Sequence, residues 1–111
     1  MGLKRLPMRG DIIYIKEGDA RGSEIRKPRP CVVVSPDELN RHAPTLIVVP
    51  LTSGAHPYAF RVPCSWKGRK GHMVVEQVRA IDRTRIDRIA GTMSAESVRA
   101  SLLMLSEMFA E

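Results

Sequence analysis

One residue stands apart among those whose side chains could do chemistry. Arg29 lies between Pro28 and Pro30, in the stretch Arg-Gly-Ser-Glu-Ile-Arg-Lys-Pro-Arg-Pro-Cys-Val-Val-Val-Ser-Pro-Asp at residues 21–37. Prolines fix backbone φ and bias their neighbours toward extended geometry. The guanidinium is thus presented at a rigid junction, where it can give two parallel hydrogen bonds to a phosphate. The same position also reads as an arginine on a solvated loop edge. Other basic residues cluster at Arg26 and Lys27, and again at Lys67, Arg69 and Lys70. Such runs are ordinarily solvated faces, yet both fall in expected loops that could rim one groove as a phosphate track. His42, His56 and His72 are scattered without partners in sequence, so exposed loop histidines are the commoner reading over a catalytic histidine pair. Cys31 and Cys64 have no metal-ligand spacing, and neither a metal nor a cofactor is expected.

The whole chain bounds what these residues can serve. Its 111 residues suit one compact domain spanning 1–111. A hydrophobic content of 43% argues against disorder. The formal net charge of +6 favours an anionic partner such as nucleic acid or an acidic protein segment. Residues 1–9 are basic, but no apolar stretch of a secretory leader follows them. No apolar run is long enough to cross a bilayer, so no membrane is expected. With two cysteines read as free thiols, the expected location is the cytoplasm.

Short strands must position the candidate residues. Residues 11–16 read as a strand with Ile12 and Tyr14 on one face and Ile13 and Ile15 on the other, which suggests a strand buried on both sides or lying at an interface. Residues 17–28 form a long loop and a candidate functional element. A second strand at 30–35 leads into a short helix at 36–41. Ser35 is expected as its N-cap, Pro36 at the first position and Glu38 at the third, as in a capping box. Further strands are expected at 45–51, 58–63 and 72–78, with 65–71 as a loop carrying Trp66. Residues 79–82 would extend the fifth strand, Asp82 would cap a helical turn at 84–88, and 89–93 would be a last short strand. Ser94 caps a C-terminal helix whose stripe is Val98, Leu102, Leu105 and Phe109, widened by Met104 and Met108. With no second helix of comparable length, the expected fold is mostly β with a C-terminal helix (α+β): a small antiparallel barrel or strongly bent sheet.

The order Gly10-Asp11-Ile12, Arg21-Gly22-Ser23-Glu24, Arg29-Pro30, Val33-Val34-Ser35-Pro36-Asp37 with Asn40, Pro50-Leu51-Thr52-Ser53, and Glu76-Gln77-Val78-Arg79-Ala80-Ile81-Asp82 resembles the MazF/PemK toxins of bacterial toxin–antitoxin pairs. The resemblance covers nearly the whole chain from about Met8 to the final helix. It implies an SH3-like barrel of the MazF/PemK/CcdB toxin type and a homodimer. It also implies a metal-independent endoribonuclease that cuts single-stranded RNA at short sequences, leaving a cyclic phosphate and a 5′-hydroxyl. An antitoxin with an acidic tail would cover the RNA site.

By that resemblance, Arg29 and Thr52 are the catalytic pair. An arginine almost never gives up its proton, so Arg29 is expected to stabilise charge on the phosphoryl oxygens rather than act as acid or base. Glu76 stands where some relatives place a catalytic aspartate. It reads as a general base, as a nucleobase acceptor, or as a carboxylate paired with Arg79. Those relatives carry a histidine at the position of Ser23 and an arginine at that of Val74, and both departures favour the arginine–threonine version. Ser23, Glu24, Lys27, Ser53, Gln77 and Arg79 are the expected RNA-binding residues, since loop side chains can read splayed bases. Two rivals share the fold. Gyrase-poisoning toxins depend on a tryptophan near the C-terminus, whereas this chain ends Glu107-Met108-Phe109-Ala110-Glu111 and has its single tryptophan at Trp66. A non-catalytic RNA- or protein-binding barrel is the other, and Arg29 together with Thr52 argues against it.

Overall fold

In the computed structural model, the structure describes residues 5–16, 29–53 and 59–111. Seven strands and two helices follow in the order β1 (Asp11–Ile15), β2 (Arg29–Val33), α1 (Asp37–His42), β3 (Thr45–Thr52), β4 (Arg61–Trp66), β5 (Arg69–Val74), β6 (Arg79–Asp82), β7 (Ile86–Thr92) and α2 (Ala95–Met108). One-turn 3-10 helices at Val75–Gln77 and Arg83–Arg85 flank β6. The pairings are antiparallel, and the sheet runs β4-β5-β3-β2-β1-β7 with β6 also on β3. The sheet does not close, because β4 and β7 remain its outer strands.

Alternation of apolar residues places the central strands between two cores. Ile12, Val32 and Val49 join Met73, Val75, Met93 and Val98 on the face under α2. Ile13, Ile15, Cys31, Val33, Leu46 and Val48 join Ile81 and Ile86 on the other. A one-residue slip of β1 would exchange these faces, so its apolar residues on both sides fix a strand buried on both sides.

β3 changes partner along its length. Residues Thr45 to Val48 pair with β6, and Leu51 and Thr52 pair with β5. Pro50 has no N–H to give and falls at the changeover, where neither β5 nor β6 pairs with it. Residues 79–82 are therefore a separate strand on β3 rather than an extension of the fifth. Prolines also explain the shifted fourth strand. Pro63 sits inside β4, which tolerates it as an outer strand, and Phe60 lies in the preceding turn. Tyr58 lies outside the described residues.

The expected loop at 65–71 is a tight hairpin. Trp66 pairs with Arg69 around Lys67 and Gly68, whose φ angles are 54° and 72°. Two left-handed residues match the twist of flanking strands, and Gly68 takes one without steric cost.

Ser35 does not cap α1. Pro36 occupies the N-cap position, with no side-chain bond. The buried Ser35 hydroxyl instead donates to Asn40 Oδ1 and accepts from the Ile47 N–H at 3.1 Å, tying the helix to β3. Ser94 does cap α2, accepting from the Ser97 N–H at 3.2 Å. Asp82 accepts from the Thr84 N–H at 2.9 Å and so caps a turn as expected, but that turn is Arg83–Arg85, and Ile86 to Arg88 already belong to β7. The α2 stripe buries Val98 and packs Leu102, Met104, Leu105 and Met108 on the core. Phe109 departs from it: it is the C-cap residue and 73% exposed.

Candidate active site

Arg29 opens β2 and Thr52 closes β3. Cys31 stands opposite Pro50 in the β2–β3 ladder. The same register, carried two residues past that pair, sets Arg29 across from Thr52 at one end of the sheet. Ile15 and Tyr14 of β1 lie opposite Arg29 and Pro30, so β1 backs the same end. The β4–β5 hairpin bends over it from the other side, because β5 pairs with Thr52 through His72.

These elements enclose a cleft of about 340 Å³ lined by Arg29, Pro30, Leu51, Thr52, Ser53, Cys64, Trp66, Arg69, Lys70 and Gly71. Three cationic side chains and two hydroxyls border it, and the described lining residues include no carboxylate or imidazole. Such a cleft concentrates positive potential where a phosphate would sit. Cys64 adds no negative charge, since burial pushes its thiol above the ordinary value and keeps it protonated at neutral pH. A second cleft shares Ser53, Cys64, Lys70 and Gly71 and continues past His72 to Ser94 and Ser97 at the start of α2. The second cleft also carries a carboxylate, Glu96 of α2, so the unbroken cationic lining belongs to the first. Among the described residues, no three His, Cys, Asp or Glu side chains group as a metal site would require.

The structure brings Arg29, Thr52 and Ser53 together, and adds Arg69 and Lys70 of the second basic cluster. Lys67 of that cluster lies instead over the ring of Trp66. Ser23, Glu24 and Lys27, with Arg26, lie outside the described residues. Glu76, Gln77 and Arg79 do not line the Arg29 cleft. Glu76 sits on the 3-10 turn after β5, and its partner is Arg61 rather than Arg79. Arg61 Nε and Nη2 both donate to Glu76 Oε2 at 3.2 Å. The β4–β5 register explains the exchange: Arg61 stands opposite Val74, beside that turn, while Arg79 is carried away on β6 opposite Val48.

Trp66 and Gly71 are among the lining residues that carry no site role in the sequence reading. Both were hidden inside what reads as a loop, and the signal for them is the hairpin itself. A glycine inside a strand often marks close backbone approach, and Gly71 lies within β5 against Thr52.

Residues 8–109 match the family described as PemK-like, MazF-like toxin of type II toxin-antitoxin system. The chain is 33% identical over 95 residues to the endoribonuclease toxin MazF of Escherichia coli K12, covering 85% of this chain and 86% of that protein. It is 39% identical over 110 residues to the endoribonuclease MazF9 of Mycobacterium tuberculosis, covering 89% of each. Its fold matches MazF in a MazE–MazF crystal structure from Deinococcus radiodurans with a TM-score of 0.80, at 24% identity over 95% of this chain and 96% of that one. A mycobacterial endoribonuclease solved with its cognate antitoxin has the same fold, with a TM-score of 0.74 at 17% identity over 91% of this chain and 92% of that one.

Proposed function

The chain belongs to the PemK-like, MazF-like toxin family of type II toxin–antitoxin systems, and relatives at 33% and 39% identity are named endoribonucleases; we propose that it is an endoribonuclease that cuts single-stranded RNA at short specific sequences without a metal ion. RNA carries its own nucleophile. The 2′-oxygen attacks the adjacent phosphorus, the bond from phosphorus to the 5′-oxygen breaks, and the products are a cyclic phosphate and a 5′-hydroxyl. The 2′-proton passes to a base and the leaving 5′-oxygen takes up a proton.

The observation that carries this reading is the convergence of Arg29, Thr52, Arg69 and Lys70 on one cleft. Arg29 grips two phosphoryl oxygens as a hydrogen-bond donor, not as acid or base, and the Thr52 hydroxyl supplies a further donor. Their contribution is stabilisation of charge that grows in the transition state. Ser53, Arg69 and Lys70 hold the strand along the cleft. Ser23, Glu24, Lys27, Gln77 and Arg79 serve nucleotides flanking the cut. Glu76 stands outside the cleft and paired with Arg61, which favours an acceptor for a nucleobase over the general base.

The basic cleft also suits the acidic tail of a cognate antitoxin, which would compete with RNA in a salt-sensitive way. Exposed apolar side chains at Leu103 and Phe109 support a homodimer. The site of action is the cytoplasm. The test is incubation of the full chain with a long single-stranded RNA in excess chelator, followed by chemical typing of the new ends. Cyclic phosphate and 5′-hydroxyl ends at a recurring sequence are expected. Cleavage that requires an added divalent metal, or 5′-phosphate ends, would overturn the proposed chemistry.

A further inference from the structure

Next to Arg29 the chain builds an aromatic cluster that phosphate chemistry does not need. Trp66 ends β4 and lines the same cleft as Arg29 and Thr52. Tyr14 lies on β1 opposite Pro30, the neighbour of Arg29. The two rings meet with centroids 5.7 Å apart and planes tilted by 48°. Lys67 Nζ lies 5.1 Å from the Trp66 centroid and 5.7 Å from that of Tyr14. The guanidinium carbon of Arg88 lies 4.1 Å from the Tyr14 centroid.

We propose that Trp66 is a base-stacking residue, taking one nucleobase of the bound strand onto its indole beside the phosphate held at Arg29. This deepens the ribonuclease reading and rests on it. A single strand offers a phosphate and a base at every nucleotide, so a groove that handles it pairs cations with aromatic faces. Here both kinds of group border one cleft. Tyr14 braces the indole from the β1 side, and the tight turn at Lys67 and Gly68 follows directly after it. Lys67, held over both rings, adds positive charge beside the cleft, where a neighbouring phosphate would pass. Stacking accepts any base, so Trp66 supplies affinity and registers the strand, while hydrogen-bonding side chains choose the sequence.

Trp66 is the chain's single tryptophan, so intrinsic indole fluorescence reports this position alone. The probe is single-stranded DNA of randomised sequence, which has no 2′-hydroxyl to react, compared with an abasic strand of the same length. Binding is followed independently by anisotropy of an end label. The expected result is saturable quenching of Trp66 by the base-bearing strand, and binding of the abasic strand about ten- to a hundredfold weaker without quenching. Trp66→Phe, which keeps an aromatic face, should hold most of the affinity. Trp66→Leu, which keeps apolar bulk but no π-face, should lose about ten- to a hundredfold, with thermal unfolding of both variants showing that they fold. Equal binding of abasic and base-bearing strands, or equal affinity of the two variants, overturns the stacking role. If RNA is still cleaved in that case, the ribonuclease reading stands without it. If the native chain neither binds the strand nor cleaves RNA, both fall.

Discussion

A Cβ placed on Gly71 would collide with the carbonyl oxygen of Thr52. The end of β3 and the β5 strand therefore approach as closely as they do because residue 71 has no side chain. That approach sets Thr52 against the hairpin that carries Arg69, Lys70 and Trp66 into the cleft. Gly71→Ala should push β5 from Thr52 and widen the site. A displacement of this size is expected to lower RNA cleavage by one to two orders of magnitude, roughly. The overpacking should cost about 1–3 kcal/mol of stability. Cleavage rate and urea midpoint, measured on the same preparation, check both.

The buried pair Ser35 and Asn40 should be structural. Asn40 Nδ2 donates to the Ser35 carbonyl at 3.0 Å, and its Oδ1 accepts from the Ser35 hydroxyl. Asn40→Ala strands the Ser35 groups without their partner and leaves a small void. The expected loss is about 2–3 kcal/mol in denaturant unfolding, with the cleavage rate of the folded fraction unchanged.

The frame was legible where one pattern decided one contact. Ile12 and Ile13 alternate onto two cores, and Ser94 before Glu96 and Val98 marks the start of α2. Sequence misled where a residue had two possible partners. Ser35 and Glu38 have the spacing of a capping box, but the Ser35 hydroxyl is drawn to Asn40 and Ile47, which only the packed fold supplies. Glu76 is three residues from Arg79, yet the hairpin register brings Arg61 closer. The turn at Lys67 and Gly68 was hidden because a lysine takes a left-handed φ usually left to glycine or asparagine. Within the site, Arg29 declared itself through its flanking prolines, and Thr52 through its place in a family pattern. Trp66 and Gly71 needed the hairpin to be seen.

Asp82 should give the fold a modest acid sensitivity. Its carboxylate accepts from the Thr84 N–H and hydroxyl and faces Arg83 and Arg85, which holds its pKa below the usual carboxylate range. A depressed folded-state pKa stabilises above the unfolded value, and that stability is lost as pH falls through the folded one. The native chain should therefore exceed Asp82→Asn in stability at neutral pH. The difference should shrink below pH about 4 and with added salt, since the group is exposed. Urea midpoints of both chains across pH check this; a gap independent of pH would contradict it.

Cys64 should be a slow nucleophile despite lining the cleft. Burial holds its thiol above the ordinary range, so the reactive thiolate is scarce at neutral pH. Alkylation by iodoacetamide, followed by mass spectrometry, should be slow at pH 7 and rise only above the ordinary thiol range. Rapid labelling at neutral pH would contradict the assigned environment.

Cleavage of a long single-stranded RNA in chelator by the native chain, Arg29→Ala and Thr52→Ala, with matched thermal unfolding, is the most direct test. Loss of a charge-stabilising donor costs about 100- to 1,000-fold. Arg29→Ala should therefore fall by at least that order while remaining folded, and Thr52→Ala should fall less but measurably. Native activity retained by a folded Arg29→Ala would contradict the central claim that this cleft performs the reaction.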